Sequence, residues 1–166
     1  MSDPQVEVRA AVPGDRTGVW PLAREFATSF VPLQAAFDST FEQLLGRADT
    51  LLLVAKLDGR IAGYLLAGDH LTFLANGPVC WVEEVMVASD LRRRGIGRAL
   101  MQHAQRWAVE CGAAYISLAS RRAGEFYLAQ DYENSAVFYK KNLGDWPAEV
   151  VIRPRMLESP SMNHML

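Results

Sequence analysis

The sequence predicts a mixed α/β (α+β) fold, and three features of it do so. Two apolar runs flank an Asp-Gly turn, the mark of an antiparallel hairpin. Further along, a strand, a long amphipathic helix and another strand follow closely enough to make a right-handed βαβ unit with parallel strands. The chain has 166 residues, half of them hydrophobic and 22% charged, which supplies the apolar surface one core needs. Residues 1–166 read as a single domain with its core over 5–157 and a tail at 158–166, since no repeat, low-complexity block or Gly/Ser linker interrupts the interior.

Taken in order, Val6 and Val8 alternate with Glu7 and Arg9 as in a short strand, and Pro13-Gly14-Asp15 offers a turn and a helix cap. Thr17 to Phe30 has irregular apolar spacing with Pro21 inside it, which predicts a broken or late-starting helix. A clearer helix is expected from Ser39, where Ser39-Thr40-Phe41-Glu42 forms a capping box ahead of Leu44 and Leu45. Thr50–Lys56 and Ile61–Ala67 are the hairpin strands around Asp58-Gly59, because glycine supplies the positive φ such a turn requires. Cys80–Val87 is the next strand. Arg94 or Gly95 to Cys111 is a helix with Ile96, Leu100, Trp107 and Cys111 on one side. Ala114–Ala119 is a short buried strand.

Charge and cysteine usage exclude several classes. Seventeen Lys and Arg stand against 19 Asp and Glu, a net charge of −2, the wrong sign for a protein that coats nucleic acid. Cys80 and Cys111 show neither disulfide-scaffold nor zinc-ligand spacing, and the three histidines form no metal constellation. The acidic opening residues are unlike a signal peptide, and the longest stretch of apolar character, Leu71 to Val82, has 12 residues where a membrane span needs about 20. We therefore expect a cytoplasmic protein with no metal, no nucleic-acid partner and no membrane partner; a homodimer stays open.

In a βαβ unit ligands sit beyond the carboxyl ends of the strands, which directs attention to residues 88–95. There Arg92-Arg93-Arg94-Gly95-Ile96-Gly97-Arg98 opens the helix. Gly95 and Gly97 let backbone approach an anion, the helix start presents unpaired N–H groups, and four arginines in seven residues add to the field. As a merely solvated cluster the run would be out of place, because cations disfavour the positive end of a helix. A P-loop needs Gly-Lys and then Ser or Thr, whereas Arg98-Ala99 follows Gly97. A dinucleotide fingerprint needs a third small residue where Leu100 stands and an acidic residue where the next strand ends in Ala119-Ser120.

The pattern Arg92-x-x-Gly95-x-Gly97, after the strand Val82-Glu83-Glu84-Val85-Met86-Val87, resembles the acyl-CoA pyrophosphate loop of the GNAT (Gcn5-related) N-acetyltransferases. The resemblance runs from about Val6 to Leu143. It implies a mostly antiparallel sheet of six to seven strands flanked by about four helices, with a parallel pair splayed at the cofactor site. It also implies acetyl-CoA as cofactor, and transfer of acetyl to a small-molecule or peptide amine by direct attack in a ternary complex. Cofactor contacts would fall to Val85, Met86, Val87, Arg92, Arg93, Arg94, Gly95, Ile96, Gly97, Arg98, Ser120 and Tyr127. Backbone N–H groups near Met86 and Val87 would hold the oxyanion.

An alkyl ammonium of pKa about 10.4 is less than ~0.1% deprotonated at pH 7, so a base is useful. Glu83 and Glu84 are the candidates: neighbours in a strand face opposite ways unless a bulge intervenes, and family strands here are commonly bulged. Glu84 is preferred because Val82 and Val85 read as the buried pair around a bulge. The proton for the departing thiolate would come from a tyrosine. The family signature N-x-x-A-x-x-F-Y-x-x-L-G-F has two partial copies. Ser120 to Tyr132 keeps every spacing and carries Tyr127; Asn134 to Gly144 keeps more residue types, breaks the spacing and carries Tyr139. Spacing decides where a hydroxyl leaves a helix, so Tyr127 is chosen, and Glu133–Leu143 becomes a strand or hairpin. His103 reads as a satisfied interior residue. Trp20, Phe26, Phe30, Phe37 and Phe41 with Asp38 are of a composition to hold a cation with an apolar body, though most read as core. An acyl-CoA-binding module without turnover is the alternative.

Overall fold

The computed structural model describes residues 5–28 and 30–143. Its elements are β1 (Glu7–Ala10), α1 (Arg16–Phe26), α2 (Gln34–Leu45), β2 (Thr50–Leu57), β3 (Arg60–Thr72), β4 (Gly77–Val87), α3 (Ile96–Glu110), β5 (Ile116–Leu118) and α4 (Gly124–Leu128). Among the described residues the sheet has five strands in the order β1-β2-β3-β4-β5, antiparallel throughout except for the parallel β4–β5 pair. The six to seven strands expected from the resemblance are thus five. Glu133–Leu143, expected as a strand or hairpin, adopts no regular structure. Val137, Phe138 and Tyr139 there are exposed, and alternation without a strand to pair with does not make a ladder.

Both faces of the sheet are covered, which explains the unbroken apolar runs in β2 and β3. Alternation sends Leu53, Ala55, Leu57, Leu65 and Ala67 toward α3, whose Ile96, Leu100, Met101, Ala104 and Ala108 are buried against them. Leu52, Val54, Tyr64 and Met86 face the other way, onto Val19 and Leu22 of α1 and Phe41 of α2. Asp58 and Gly59 turn the hairpin with φ of 50° and 79°.

Two helix starts differ from expectation. α1 runs without a break from Arg16, and Pro21 inside it forgoes only the bond to the Thr17 carbonyl while Val19 and Leu22 are buried. Asp15 does not cap it. Its carboxylate instead accepts from the Val12 N–H at 2.9 Å and from both Arg9 nitrogens at 2.6 and 2.9 Å, tying β1 to the turn. α2 begins at Gln34, five residues before the expected cap, and the Ser39 hydroxyl lies mid-helix, accepting from Gln43 Nε2 at 3.1 Å. The pull on that helix is tertiary: Phe37 and Phe41, one turn apart, pack ring to ring at 5.7 Å over the α1 face.

Candidate active site

β4 and β5 pair at only three positions, Cys80–Ile116, Trp81–Ser117 and Val82–Leu118. Past Val82, β4 keeps β3 on one side and opens on the other. A cleft of about 290 Å³ lies there, bounded by Val82–Met86, by Arg92, by Leu118–Ala123 with Tyr127, and by Glu25, Phe26 and Thr28 at the end of α1. It sits beyond the carboxyl ends of a parallel pair, where ligands of such units collect.

A bulge shapes its floor. Leu66 pairs with Glu84 and the next residue, Ala67, pairs with Val82, so Glu83 is the extra residue without a partner on β3. Val82 and Val85, three apart, consequently both pack on the α3 side, while Glu84 and Met86 point to the α1 face. Glu83 is exposed and Glu84 is half-buried. Burial pushes the Glu84 carboxyl above its ordinary value, the bond from Tyr64 opposes that, and the neighbouring Glu83 charge adds to it. The bond is short: Tyr64 Oη donates to Glu84 Oε2 at 2.6 Å. Tyr64 is 2% exposed and burial holds its hydroxyl protonated far above the usual tyrosine range.

The arginine loop leads away from the same cleft. Arg92 lines it, donates from Nε to the Val87 carbonyl at 3.3 Å and reaches Glu25 at 3.8 Å. Arg93 and Gly95 take the left-handed backbone region with φ of 63° and 78°, and Gly95 is the residue from which α3 starts. Ala99 is the first residue of α3 whose N–H finds a carbonyl, that of Gly95 at 2.9 Å, leaving the N–H groups of Ile96, Gly97 and Arg98 without intrahelical partners. Arg93 and Arg98 make no ion pair among the described residues, and Arg94 acts at range on Asp90, which is held by Arg60 at 2.9 Å. Arg93 to Arg98 lie outside the cleft's lining; Ile96 turns its side chain into the core at 1% exposure, so only its main chain faces outward. Gly97 abuts the Phe126 ring, 3.2 Å from where a Cβ would stand.

Tyr127 is half-buried on α4, edge-on to Phe126 at 5.0 Å and to Tyr132 at 5.7 Å between ring centres, and burial, with Tyr132 beside it, raises its hydroxyl. Ser120 starts that turn by accepting the Ala123 N–H at 3.1 Å. Tyr139 is 88% exposed and outside the cleft. Cleft and sequence thus bring together Glu83, Glu84, Val85, Met86, Arg92, Ser120 and Tyr127. Of the aromatic group, Phe26 lines the cleft; the Trp20 and Phe37 rings meet at a tilt 5.1 Å apart and Phe41 is buried. His103 is satisfied, its Nδ1 within 2.9 Å of the Ala99 carbonyl.

The sequence reading missed Tyr64, Glu25, Thr28, Arg121 and Arg122. A signal existed for Tyr64, the lone hydroxyl in the aliphatic run 61–67; the others depend on which loops the fold brings together. The Cys80 thiol is pushed up to about 11, by burial first and then by Cys111 and Asp69, which leaves it inert as a nucleophile. Among the described residues no group of three or more His, Cys, Asp or Glu is arranged to hold a metal, and no helix is long and apolar enough to cross a membrane.

The model of the Acetyltransferase (GNAT) family matches residues 19–132. No curated protein sequence matches. Among solved structures, a transcriptional regulator from Bacillus halodurans C-125 is 25% identical with a TM-score of 0.73, over 84% of this chain and 100% of that one. Glucosamine-6-phosphate N-acetyltransferase from Arabidopsis thaliana is 19% identical with a TM-score of 0.74, over 83% and 98%. An aminoglycoside N-acetyltransferase in complex with CoA is 18% identical with a TM-score of 0.74, over 86% and 98%.

Proposed function

The chain belongs to the acetyltransferase (GNAT) family, and from that premise we propose that it moves an acetyl group from acetyl-CoA to a primary amine by direct attack while both are bound. The observation that carries the reading is the cleft where β4 and β5 part, with a half-buried carboxylate on its floor and a half-buried tyrosine on its wall. The residues fit a diphosphate on a flexible arm. Three free N–H groups open α3, Gly95 adopts a conformation that favours backbone exposure, and Arg93 and Arg98 are uncommitted among the described residues.

Bound there, acetyl-CoA would supply the acetyl group and a thiolate leaving group. The remaining work falls to the chain. Glu84 takes the proton of the attacking ammonium, directly or through water; one carboxylate oxygen is held by Tyr64, which leaves the other for that proton. Desolvation suits it to the task, because a carboxyl raised from its ordinary value is a stronger base nearer neutral pH. Of the backbone N–H groups near Met86 and Val87, that of Val87 faces the open edge of β4, since the Ala88 N–H beside it bonds back to Ala62 and the Val87 carbonyl takes Arg92; it stabilises the oxyanion. Tyr127, kept protonated by burial, gives its proton to the departing sulfur. Glu25, Phe26 and Thr28 form the wall against which a small-molecule or peptide amine would lie. Two free thiols suit a cytoplasmic protein.

The test is release of CoA thiol from acetyl-CoA across a panel of amines, including an amino-sugar phosphate and an aminoglycoside, the acceptors named for two of the solved structures. Thiol release with one class supports the proposal. Tight acetyl-CoA binding with no release across the panel refutes it in favour of an acyl-CoA-binding module.

A further inference from the structure

A hydroxyl buried to 2% exposure inside the otherwise apolar run 61–67 needs a partner, since leaving one unpaired costs as much as the bond is worth or more. Among the described residues Tyr64 Oη has one hydrogen-bond partner, Glu84 Oε2, at 2.6 Å. The two residues come from different strands. Tyr64 lies opposite Met86 on β3, Leu66 lies opposite Glu84, and alternation puts the tyrosine and the carboxylate on the same α1-facing side, one diagonal step apart. Phenol and carboxylate are therefore locked by sheet register, and the tyrosine ring is wedged among Val19, Leu22, Val54 and Met86.

We propose that Tyr64 is a positioning residue for the reaction: its buried hydroxyl fixes the rotamer of Glu84 and holds the carboxylate ready, ionised and aimed at the cleft. The inference rests on the reading of Glu84 as base. Its physical content is a balance. Burial and the adjacent Glu83 disfavour charge on Glu84, whereas the phenol donates to the ionised form and favours it. The other charged or titratable groups facing Glu84 across the cleft are Glu25 of α1, Arg92 before α3, Arg121 and Arg122 after β5, and Tyr127 of α4; none is hydrogen-bonded to Glu84 among the described residues. Tyr64 is thus its one direct donor among the described residues, and unlike Tyr127 it lies outside the cleft's lining, 2% exposed, where it reaches no substrate.

The experiment uses the full chain. Carboxyl carbons of glutamate are labelled with ¹³C, the Glu84 signal is assigned by its loss in Glu84→Gln, and its titration is followed in wild type and Tyr64→Phe. Removing the donor is expected to move the Glu84 midpoint to higher pH. The acidic limb of kcat should move the same way, kcat at neutral pH should fall about tenfold, and KM for acetyl-CoA should stay put. A folded Tyr64→Phe whose Glu84 midpoint is unmoved overturns the inference, because a merely structural tyrosine would alter the melting temperature alone. Should the midpoint move while the acidic limb of kcat does not, the positioning stands and Glu84 as base fails. A second measurement covers a variant that does not fold. In wild type the Tyr64 hydroxyl proton should be slow to exchange and far downfield, and it should move upfield in Glu84→Gln. A wild-type protein without that resonance also overturns the assignment.

Discussion

Glu84→Gln is expected to make the protein more stable and less active at once, and the sign of each effect follows from one carboxyl group. Glutamine keeps the shape and an oxygen for the Tyr64 hydroxyl, so the packing around Tyr64, Val54 and Met86 is untouched. What disappears is a charge that burial disfavours. The folded-state pKa of Glu84 stands above the ordinary 4.5, so the folded protein holds its proton more tightly than the unfolded chain. Its contribution to stability is accordingly full below about pH 4.5 and is lost as pH rises through the folded value. At pH 8 the wild type carries the whole cost of that buried charge. The variant carries none. Thermal melts should show Glu84→Gln above wild type at pH 8, on the scale of a few °C that about 1 kcal/mol makes in a chain of this size, and level with it at pH 4. Turnover at neutral pH should fall about a hundredfold, and what remains should rise with pH as free amine comes from bulk. A variant that melts lower than wild type at pH 8, or a gap that is the same at both pH values, would refute the reasoning about desolvation whatever happens to activity.

Tyr127→Phe should reduce kcat by about tenfold to a hundredfold while acetyl-CoA affinity is kept, and Tyr139→Phe, at an 88% exposed position, should change neither; steady-state kinetics of both variants decides between them. Gly97→Asp should weaken acetyl-CoA binding by at least about tenfold, because the new side chain brings a negative charge to the start of α3 and its Cβ presses on the Phe126 ring from 3.2 Å; an unaltered dissociation constant by calorimetry would contradict the loop's role. Asp15→Asn should have the opposite pH signature to Glu84→Gln. Arg9 first, through its hydrogen bonds, and the Val12 N–H also hold the Asp15 carboxyl below its ordinary 3.8, so the stability it adds is present above that pH and lost as the solution is acidified through the folded value. The variant should melt about 2 °C lower at neutral pH, a modest figure because Arg9 reaches into water and is screened, with the difference closing below pH 4.

Where sequence and fold agree, a local rule had no rival. The Asp58-Gly59 turn demands positive φ and sits between two β-branched and aliphatic runs, so nothing else was available to those residues. A bulge between Val82 and Val85 was legible because two core-facing residues three apart share a face only across an extra residue, and the family resemblance pointed the same way; that the extra residue is Glu83 comes from the register with β3. That Tyr127 rather than Tyr139 lines the cleft follows the spacing of the signature that the resemblance supplied. The start of α2 was not legible, since Ser39 to Glu42 satisfies every local rule for a cap, yet Phe37 and Phe41 recruit the preceding turn into the helix by packing on α1. Tyr64 was hidden for a similar reason. Its pairing with Glu84 bridges 20 positions and exists only once β3 and β4 are in register. Residues 133–143 alternate convincingly, but the neighbour that would turn alternation into a strand is missing among the described residues, where Phe138 instead stacks on Trp81 at 6.3 Å.

β5 is fastened to the sheet by three residues, and the segment that carries the tyrosine wall of the cleft follows directly on that seam. Parallel pairing is slightly weaker per residue than antiparallel, and so short a seam is the cheapest part of the sheet to unzip. Amide hydrogens of Ser117 and Leu118 should therefore trade with solvent sooner than those of β2 and β3, and a ligand spanning the gap would act as a clasp. The tyrosine side of the cleft rests on α3 through Tyr132 and Gln105, so an occupant of the gap would brace from the front a wall already propped from behind.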